Sequence, residues 1–179
     1  MKTQTKTLGL MALTAIALSL TSCKETKKEE QATTPTNVSN SSTYIDHYMS
    51  LKDALVGDDS VSASIHAKTL ANSVQELDVT SYELKDERNF VLTVKKVAKN
   101  ASQIPNADIA LQRSLFEAIT NDMINLIKIT GASSIVYVQY CPMYEQGQGG
   151  YWLSQNEAVK NPLFGSMMLN CGRVTDTLK

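Results

Sequence analysis

The sulfur-bearing side chains near the C-terminus are the residues of this 179-residue chain whose types and spacing could do chemistry. They fall into two short strings, Cys141-x-Met143 and Met167/Met168-x-x-Cys171. Thiolate and thioether sulfurs are soft donors that suit Cu(I) or Ag(I), which demand little of the ligand geometry. If the two strings pack together, they can supply two thiolates and two thioethers to one ion. The four predicted ligands are Cys141, Met143, Met168 and Cys171.

The same two cysteines allow interpretations without a metal. Outside the reducing cytosol, two nearby cysteines tend to pair. A Cys141–Cys171 disulfide would stabilise a small cap by about 3.5 kcal/mol on the loop-entropy model. The cysteines could also be structural thiols, with the methionines serving only to pack. Because a thiol pair that binds Cu(I) can also oxidise, the residues alone leave these alternatives open.

Four segments with helical periodicity precede the sulfur-rich segment. Apolar residues recur along each of them at steps of three and four, which is the pattern of a helix with one buried face. Short connections between helices of similar length favour antiparallel neighbours, so we expect an up-down four-helix bundle. Met49 is expected in or near its core. The other predicted core residues are Tyr44, Tyr48, Leu51, Leu55, Ala63, Ala67, Leu70, Val74, Leu77, Leu84, Val91, Val94, Ala98, Ile109, Phe116, Ile119, Met123 and Leu126.

The first two predicted helices have recognisable ends. Thr43 and Asp46 are spaced like a capping box, which predicts a helix start. Gly57 predicts the end of that helix, because glycine readily adopts the positive φ of a C-terminal cap. Asp58 or Asp59 is then the expected N-cap of the second helix.

The third and fourth predicted helices are separated by a proline. The third is expected from about residue 81 to 101, and Pro105 prevents its continuation because the residue before a proline disfavours helical backbone. Asn106 or Asp108 is the expected N-cap of the fourth helix. Gly131 is expected to end it.

The character of the sequence changes after the fourth helix. Residues 135–140 are β-branched or aromatic apart from one glutamine, which predicts a short strand. Glycines at 147–150 predict a loop, and Asn161-Pro162 predicts a turn. We therefore expect a mainly α domain over residues 42–179: an up-down four-helix bundle with a small C-terminal strand-and-loop cap.

The N-terminus has the features of a signal peptide. Lys2 and Lys6 precede an apolar run over residues 8–20. At 1.5 Å per residue this run is too short to cross a hydrocarbon core of about 30 Å. A basic start followed by such a run is typical of a signal peptide that is removed, and we assign it to residues 1–22.

A cysteine follows the predicted signal peptide directly. Leu20-Thr21-Ser22-Cys23 resembles a bacterial lipobox, whose cysteine is lipidated and becomes the first residue of the mature protein. Several acyl chains on one residue hold a protein firmly on a membrane. Residues 23–41 are polar and predict a flexible tether. We therefore expect a lipid-anchored protein of the cell envelope, on the periplasmic face or the outer-membrane surface.

Composition and charge exclude several classes of function. Hydrophobic residues make up 42% of the chain and charged residues 20%, as in ordinary globular proteins. Seventeen basic and eighteen acidic residues give a net charge of −1, so no nucleic-acid partner is expected. The two histidines, His47 and His66, lie on predicted helices far along the chain from Cys141. We expect no enzyme, because no base is predicted within reach of a nucleophile.

Several sequence motifs together resemble a known bacterial family, the domain-of-unknown-function family 3347. The resemblance spans residues 42–177. It is carried by Tyr48-x-x-Leu51-Lys52-Asp53-Ala54-Leu55, Arg113-x-x-Phe116, Tyr140-Cys141-Pro142-Met143, Tyr151-Trp152-Leu153-Ser154, Asn161-Pro162-Leu163-Phe164-Gly165 and Met168-Leu169-x-Cys171-Gly172.

The family resemblance implies a role in metal handling. Members occur as small envelope lipoproteins, and similar domains are fused to periplasmic adaptor subunits of heavy-metal efflux systems. The expected function is therefore binding of a soft metal ion, Cu(I) or Ag(I), as a buffer or as a donor to an efflux or copper-trafficking partner. The alternative is a non-catalytic protein-interaction module with a structural Cys141–Cys171 disulfide.

The lipobox predicts the outcome of a single substitution. Cys23→Ser removes the acyl acceptor, so the protein should be soluble or should remain unprocessed. Fractionation of cells into membrane and soluble pools, with the mass of the mature chain, measures this. Normal processing and membrane fractionation of the variant would place the anchor elsewhere.

Overall fold

The computed structural model describes residues 38–179, and the side chains from residue 43 onward. The helices are α1 Val38–Val56, α2 Ser60–Gln75, α3 Glu87–Gln103 and α4 Ile109–Thr130. The strands are β1 Val136–Cys141, β2 Gly150–Ser154 and β3 Arg173–Leu178. This order confirms the mainly α prediction with a C-terminal cap. The predicted signal peptide and Cys23 lie outside the described residues.

Hydrogen bonds between α1 and α4 fix their relative direction. Tyr44, near the start of α1, is hydrogen-bonded through its hydroxyl to Thr130 at the end of α4, at 2.7 Å. Arg113, near the start of α4, donates to the carbonyl of Leu55 near the end of α1, at 3.3 Å. Helices whose opposite ends meet in this way run antiparallel.

The side chain of Gln112 relates α4 to α2. Its amide donates to the carbonyl of Ser60 and to the hydroxyl of Ser64, both at 3.1 Å. The starts of α2 and α4 therefore lie together, as alternate helices of an up-down bundle do. None of the helices between residues 38 and 179 combines the length and apolar character needed to cross a membrane.

The cap is a three-stranded antiparallel sheet in the order β2-β1-β3. Tyr140 of β1 pairs with Tyr151 of β2 on one side and with Arg173 of β3 on the other. The sequence predicts β1 but neither of its partners. β2 follows a glycine-rich loop and has three consecutive buried residues, whereas β3 is largely exposed. Neither strand therefore has the strict alternation that identifies a strand from sequence.

Tyr48 joins the bundle to the cap. Its ring stacks on that of Phe116 in α4, with 5.0 Å between the ring centroids. Its hydroxyl is hydrogen-bonded to that of Thr120 at 2.6 Å and accepts the backbone N–H of Leu153 at 3.1 Å. Burial raises the pKa of Tyr48 well above its ordinary value, so the hydroxyl stays protonated.

The predicted burial pattern is correct for α1, α2 and most of α4. All the predicted core residues of α1 are buried: Tyr44, Tyr48, Leu51 and Leu55. The residues predicted to form the buried face of the second helix are buried as well. In α4 the predicted core residues are buried except Ile109, which is partly exposed. Met49 is also buried.

The burial pattern predicted for α3 is wrong by one position. The buried residues are Phe90, Thr93, Val97 and Ala101, whereas the predicted Leu84, Val91, Val94 and Ala98 are only partly buried. Asp86 caps the helix by accepting the N–H of Asn89 at 3.0 Å, so α3 starts later than predicted. The buried stripe contains a threonine, whose hydroxyl donates to the carbonyl of Asn89 at 2.8 Å. A search for regularly spaced apolar residues therefore does not identify this threonine as a buried residue.

The first helix starts earlier than predicted. α1 begins at Val38, within the segment 23–41 predicted as a tether. Thr43 and Asp46 consequently lie inside the helix, and the predicted capping box is wrong. The carbonyl of Asp46 accepts the hydroxyl of Ser50 at 2.9 Å, a bond typical of a helix interior.

The turn after α1 is made by an aspartate rather than by the predicted glycine. Gly57 has no positive φ, and Asp58 takes the left-handed conformation at φ 57°. Asp59 caps α2 as expected, since its carboxylate accepts the N–H groups of Val61 and Ser62. The predicted Asp108 cap and the end at Gly131, φ 74°, are also confirmed.

The packing of Phe116 leads to a stability prediction. Phe116→Ala removes a fully buried ring that stacks on Tyr48. The free energy of unfolding should fall by about 3–5 kcal/mol, as for other large-to-small core substitutions. Urea denaturation followed by circular dichroism measures it.

The matched control is Leu111→Ala on the same helix, where the side chain is 52% exposed. The free energy of unfolding should change by no more than about 0.5 kcal/mol. Equal losses in the two variants would contradict the helix packing described above.

Candidate metal centre

The sheet brings the two C-terminal cysteines together. Cys141 is the last residue of β1 and is fully buried. Because Tyr140 pairs with Arg173 across β1 and β3, Cys171 lies beside the end of β1. The thiol of Cys141 lies close enough to that of Cys171 to raise its pKa, and neither cysteine forms a disulfide.

The two predicted methionine ligands are held at the same junction. The backbone N–H of Cys171 donates to the carbonyl of Met168 at 3.0 Å. The backbone N–H of Met143 lies close enough to the thiol of Cys171 to affect its pKa. These contacts run through backbone atoms, while the side chain of Met143 is 57% exposed and that of Met168 is partly buried. The structure therefore brings the backbones of Met143 and Met168 to the two cysteines.

The environment of Cys171 raises the pKa of its thiol. The main cause is the hydrogen bond to Cys141, followed by partial burial and by the charge that Cys141 would carry. The N–H of Met143 acts in the opposite direction. Cys171 is consequently protonated at neutral pH. A metal that binds it must displace protons, so metal affinity should increase with pH.

Asn161 organises the loop that carries Cys171. This fully buried side chain accepts the N–H groups of Leu163 and Phe164 through Oδ1, at 2.8 and 3.2 Å. Its Nδ2 donates to the carbonyl of Cys171 at 2.9 Å, and its backbone N–H donates to the carbonyl of Leu169 at 2.8 Å. One residue thus holds both ends of the loop. In the sequence, Asn161-Pro162 predicts only a turn, and this dipeptide is the one local signal of the role of Asn161.

An ion pair between a buried arginine and an exposed aspartate attaches the same loop to the helices. The side chain of Arg113 donates through Nε to the carbonyl of Pro162 at 3.0 Å and pairs with Asp58. The second oxygen of Asp58 accepts the N–H of Ser166 at 3.1 Å. These bonds, chiefly those from Ser166 and then that from Arg113, lower the pKa of Asp58. Gly165, at φ 57°, has no room for a side chain, which would collide with both charged partners.

Trp152 forms the base of the site. The indole is fully buried and donates to Oε1 of Gln139 at 2.7 Å. Gln139 in turn donates to the carbonyls of Asn156 and Glu157, both at 3.0 Å. A Cβ on Gly172 would lie 2.7 Å from the indole ring. This close approach of backbone to indole holds the residue after Cys171 in place.

Two tyrosines and an arginine stack beside the end of β1. The guanidinium of Arg173 stands 5.3 Å from the centroid of the Tyr140 ring, and that ring lies 4.7 Å from the ring of Tyr151. Stacking on an aromatic ring restrains an arginine that is otherwise exposed.

The donor set fits a soft ion better than a hard one. Within residues 38–179, no three or more histidine, cysteine, aspartate or glutamate side chains are grouped to hold a metal. The candidate donors at this junction remain those that the sequence predicts, the thiols of Cys141 and Cys171 and the thioethers of Met143 and Met168. Thioethers are ligands of Cu(I) rather than of Mg²⁺, Ca²⁺ or Zn²⁺.

The raised pKa of Cys171 predicts its reactivity. Alkylation by iodoacetamide needs the thiolate, so its rate at Cys171 should rise with a midpoint above the ordinary thiol value of about 8.5. Cys141→Ala removes the main cause of the shift and should speed alkylation at pH 8. Mass spectrometry of the peptide that contains Cys171 measures the rate. An unchanged rate in Cys141→Ala would mean that the two thiols do not interact.

The same shift links stability to alkaline pH. In the unfolded chain Cys171 ionises near its ordinary pKa, whereas in the folded chain it keeps its proton to higher pH. Folding stability is therefore full below the ordinary pKa and decreases as the pH rises through the folded-state value.

The comparisons with known proteins identify the helical part of the chain. A family model described as "Protein of unknown function (DUF3347)" matches residues 44–134, about half of the chain. The matched segment ends before β1, so Cys141 and Cys171 lie beyond it. No curated protein and no solved structure matches the chain. The chain thus belongs to the domain-of-unknown-function family 3347, as its motifs suggest.

Proposed function

We propose that the protein binds one soft metal ion, Cu(I) in the first instance and Ag(I) by the same chemistry. The observation that supports the proposal is the proximity of the thiols of Cys141 and Cys171, which the pairing of β1 with β3 brings together and neither of which is in a disulfide. The proposed ligands are these two thiolates, completed by the thioethers of Met143 and Met168. The role is binding rather than catalysis.

The chemistry of the ligands determines the preference among metals. Thiolates supply most of the affinity, whereas thioethers complete the coordination without adding charge or needing deprotonation. Zn²⁺ prefers four nitrogen, oxygen or thiolate donors. With only two thiolates in the proposed site, Zn²⁺ should bind more weakly than Cu(I).

The proposed setting is the cell envelope. Lipidation at Cys23 would hold the protein on a membrane by a tether, where it would act as a metal buffer or as a donor to an efflux or copper-trafficking partner. The lipobox and the resemblance to domains fused with heavy-metal efflux adaptors support this setting. Exposure of Met143, and of Met167 at 73%, would let a partner approach the sulfur ligands.

A second candidate function is favoured by the same contact. Thiols that already touch need little rearrangement to form a disulfide, and the envelope is an oxidising compartment. The cap would then be stabilised by the disulfide and would offer a non-catalytic binding surface to another envelope protein. The two candidates predict opposite results when the reduced protein is offered copper.

A chelator competition tests the metal hypothesis. The reduced protein should withdraw one Cu(I) per chain from a coloured Cu(I) chelator. Cys141→Ser and Cys171→Ser should abolish tight binding, because each removes a thiolate. Met143→Leu keeps the volume of the side chain and should weaken binding only in part.

Met167→Leu is the matched control, because this methionine is exposed in the same loop but is not a proposed ligand. Its affinity for Cu(I) should equal that of the wild type. Met143 is exposed too, so neither methionine variant should affect folding. A protein that stays oxidised under mild reductant and binds no copper after forced reduction would refute the metal proposal and support the stapled cap.

A further inference from the structure

A cleft of about 400 Å³ lies between α1 and the segment that follows β2. Two lysines line it, Lys52 from α1 and Lys160 from the segment beyond β2. Asp53 and Ser154 also line it. Lys52, Asp53 and Ser154 all belong to sequence motifs that the proposed metal site does not use.

Lys52 is an unusual lining residue because its side chain is only 9% exposed. A buried ammonium group is unfavourable unless it is paired and hydrogen-bonded. Its partner among the described residues is Asp53, at 2.6 Å, and that carboxylate is 68% exposed. An ammonium group has three N–H donors, so donor capacity remains for a ligand in the cleft.

The wall formed by the end of β2 and the segment after it already uses its polar groups in hydrogen bonds, and its Gln155 donates to the carboxylate of Asp46 on α1 at 3.3 Å. Ser154 donates its hydroxyl to the carbonyl of Asn156 at 2.8 Å and accepts the N–H of the same residue at 3.0 Å. The side chain of Asn156 accepts the N–H of Ala158 at 2.9 Å. This wall therefore supplies shape, and recognition of a ligand depends on the lysines.

The charges in the cleft indicate which ligand it suits. Lys52 and Lys160 contribute two positive charges and Asp53 one negative charge, so the lining carries +1. A monoanion balances that charge, whereas a dianion would be repelled by the carboxylate beside the Lys52 ammonium. Met49 and Ala158 also line the cleft and offer apolar contact to a short alkyl chain.

We propose that this cleft binds a small organic carboxylate, with its carboxyl group held by Lys52 and Lys160. The site is separate from the sulfur cluster. Gly150, which pairs with Cys141, begins β2, and Ser154 ends it. Four steps along a strand of about 3.3 Å each separate the two by about 13 Å. The binding of a carboxylate therefore does not depend on the proposed metal function.

A second cleft supplies an internal control. It has a volume of about 290 Å³ and is also lined by two lysines, Lys85 and Lys128. Glu83 and Asp86 line it as well, so its formal charge is zero. Lys128 is exposed. The second cleft should therefore show no preference for anions.

Titration of the protein with acetate, butyrate and inorganic phosphate tests the proposal. Chemical-shift changes of the backbone amides report the binding site. Butyrate should cause saturable shifts at Ser154 and Asn156, acetate should bind more weakly, and phosphate weakest. The amides around Lys128 should not shift in a saturable way.

Substitutions identify the group that holds the carboxylate. Lys52→Met keeps the apolar stem and removes the charge, so affinity for butyrate should fall at least about tenfold, the loss of one charge-assisted hydrogen bond. Lys160→Met should weaken binding less, since this lysine is exposed. Lys128→Met should leave the affinity unchanged.

Lys52→Arg keeps a buried cation and should retain binding, which separates loss of charge from loss of structure. Three results would each overturn the proposal: no saturable shift with any of the three anions, the same butyrate affinity in Lys52→Met as in the wild type, or tighter binding of phosphate than of butyrate. If Lys52→Met does not fold, the wild-type titration still tests for saturable binding and for the preference for butyrate over phosphate. Lys160→Met then tests whether the loss of a lysine charge weakens the binding of butyrate.

Discussion

The buried guanidinium of Arg113 is the contact on which the arrangement of bundle, turn and loop depends. From one position on α4 it reaches the carbonyl of Leu55, the carboxylate of Asp58 and the carbonyl of Pro162. A buried charge is tolerated only when its donors are satisfied. Because its acceptors belong to the end of α1, to the turn after it and to the cap, displacing any one of them would leave part of the cation unpaired. The loop that carries Cys171 is therefore held by the requirement to neutralise a charge inside the bundle.

Two polar residues transmit this restraint to the cysteines. Asn161, next to Pro162, bonds to the carbonyl of Cys171, and Tyr48 ties β2 to α1 and α4. The pairing of β1 with β3 then brings the two thiols into contact. Positions set by buried hydrogen bonds are defined more sharply than positions set by apolar packing alone, because each bond has a direction and an unpaired partner is costly. A preformed pair of thiols requires little reorganisation when a ligand binds.

The sequence predicts the parts of this fold that depend on repetition. The buried faces of α2 and α4 extend over several helical turns, so the prediction that one position is buried is supported by the apolar residues in the neighbouring turns. The buried face of α3 lies one position away from the predicted one because it contains a threonine, Thr93, which bonds to its own helix. A search for regularly spaced apolar residues treats this threonine as a surface residue. Asp58 is a similar case, since its left-handed conformation is stabilised by Arg113 from a different helix. Arg113 is far from Asp58 in the sequence, so no local sequence pattern predicts their contact.

The residues of the candidate site also differ in whether the sequence alone predicts their importance. Cysteine and methionine are recognisable by chemistry alone, so Cys141, Met143, Met168 and Cys171 can be proposed from the sequence. The significance of Asn161, Arg113 and Lys52 depends on their burial and on partners far along the chain. Their residue types occur on many surfaces. The sequence therefore yields the donor atoms, and only the structure yields the residues that position them.

The extent of the family match bears on how function should be assigned. The match ends at residue 134, within the turn that follows α4, while both cysteines lie in the sheet beyond it. Membership of the family therefore describes the scaffold, and a scaffold by itself does not specify chemistry. The contacts join the two parts nonetheless, because the residues that hold the cap loop, Asp58 and Arg113, come from the matched helices. If the cap is the part that binds, its geometry depends on residues of the family domain that need not touch any ligand. Substitutions at these positions would then alter binding by displacing Cys171 relative to Cys141.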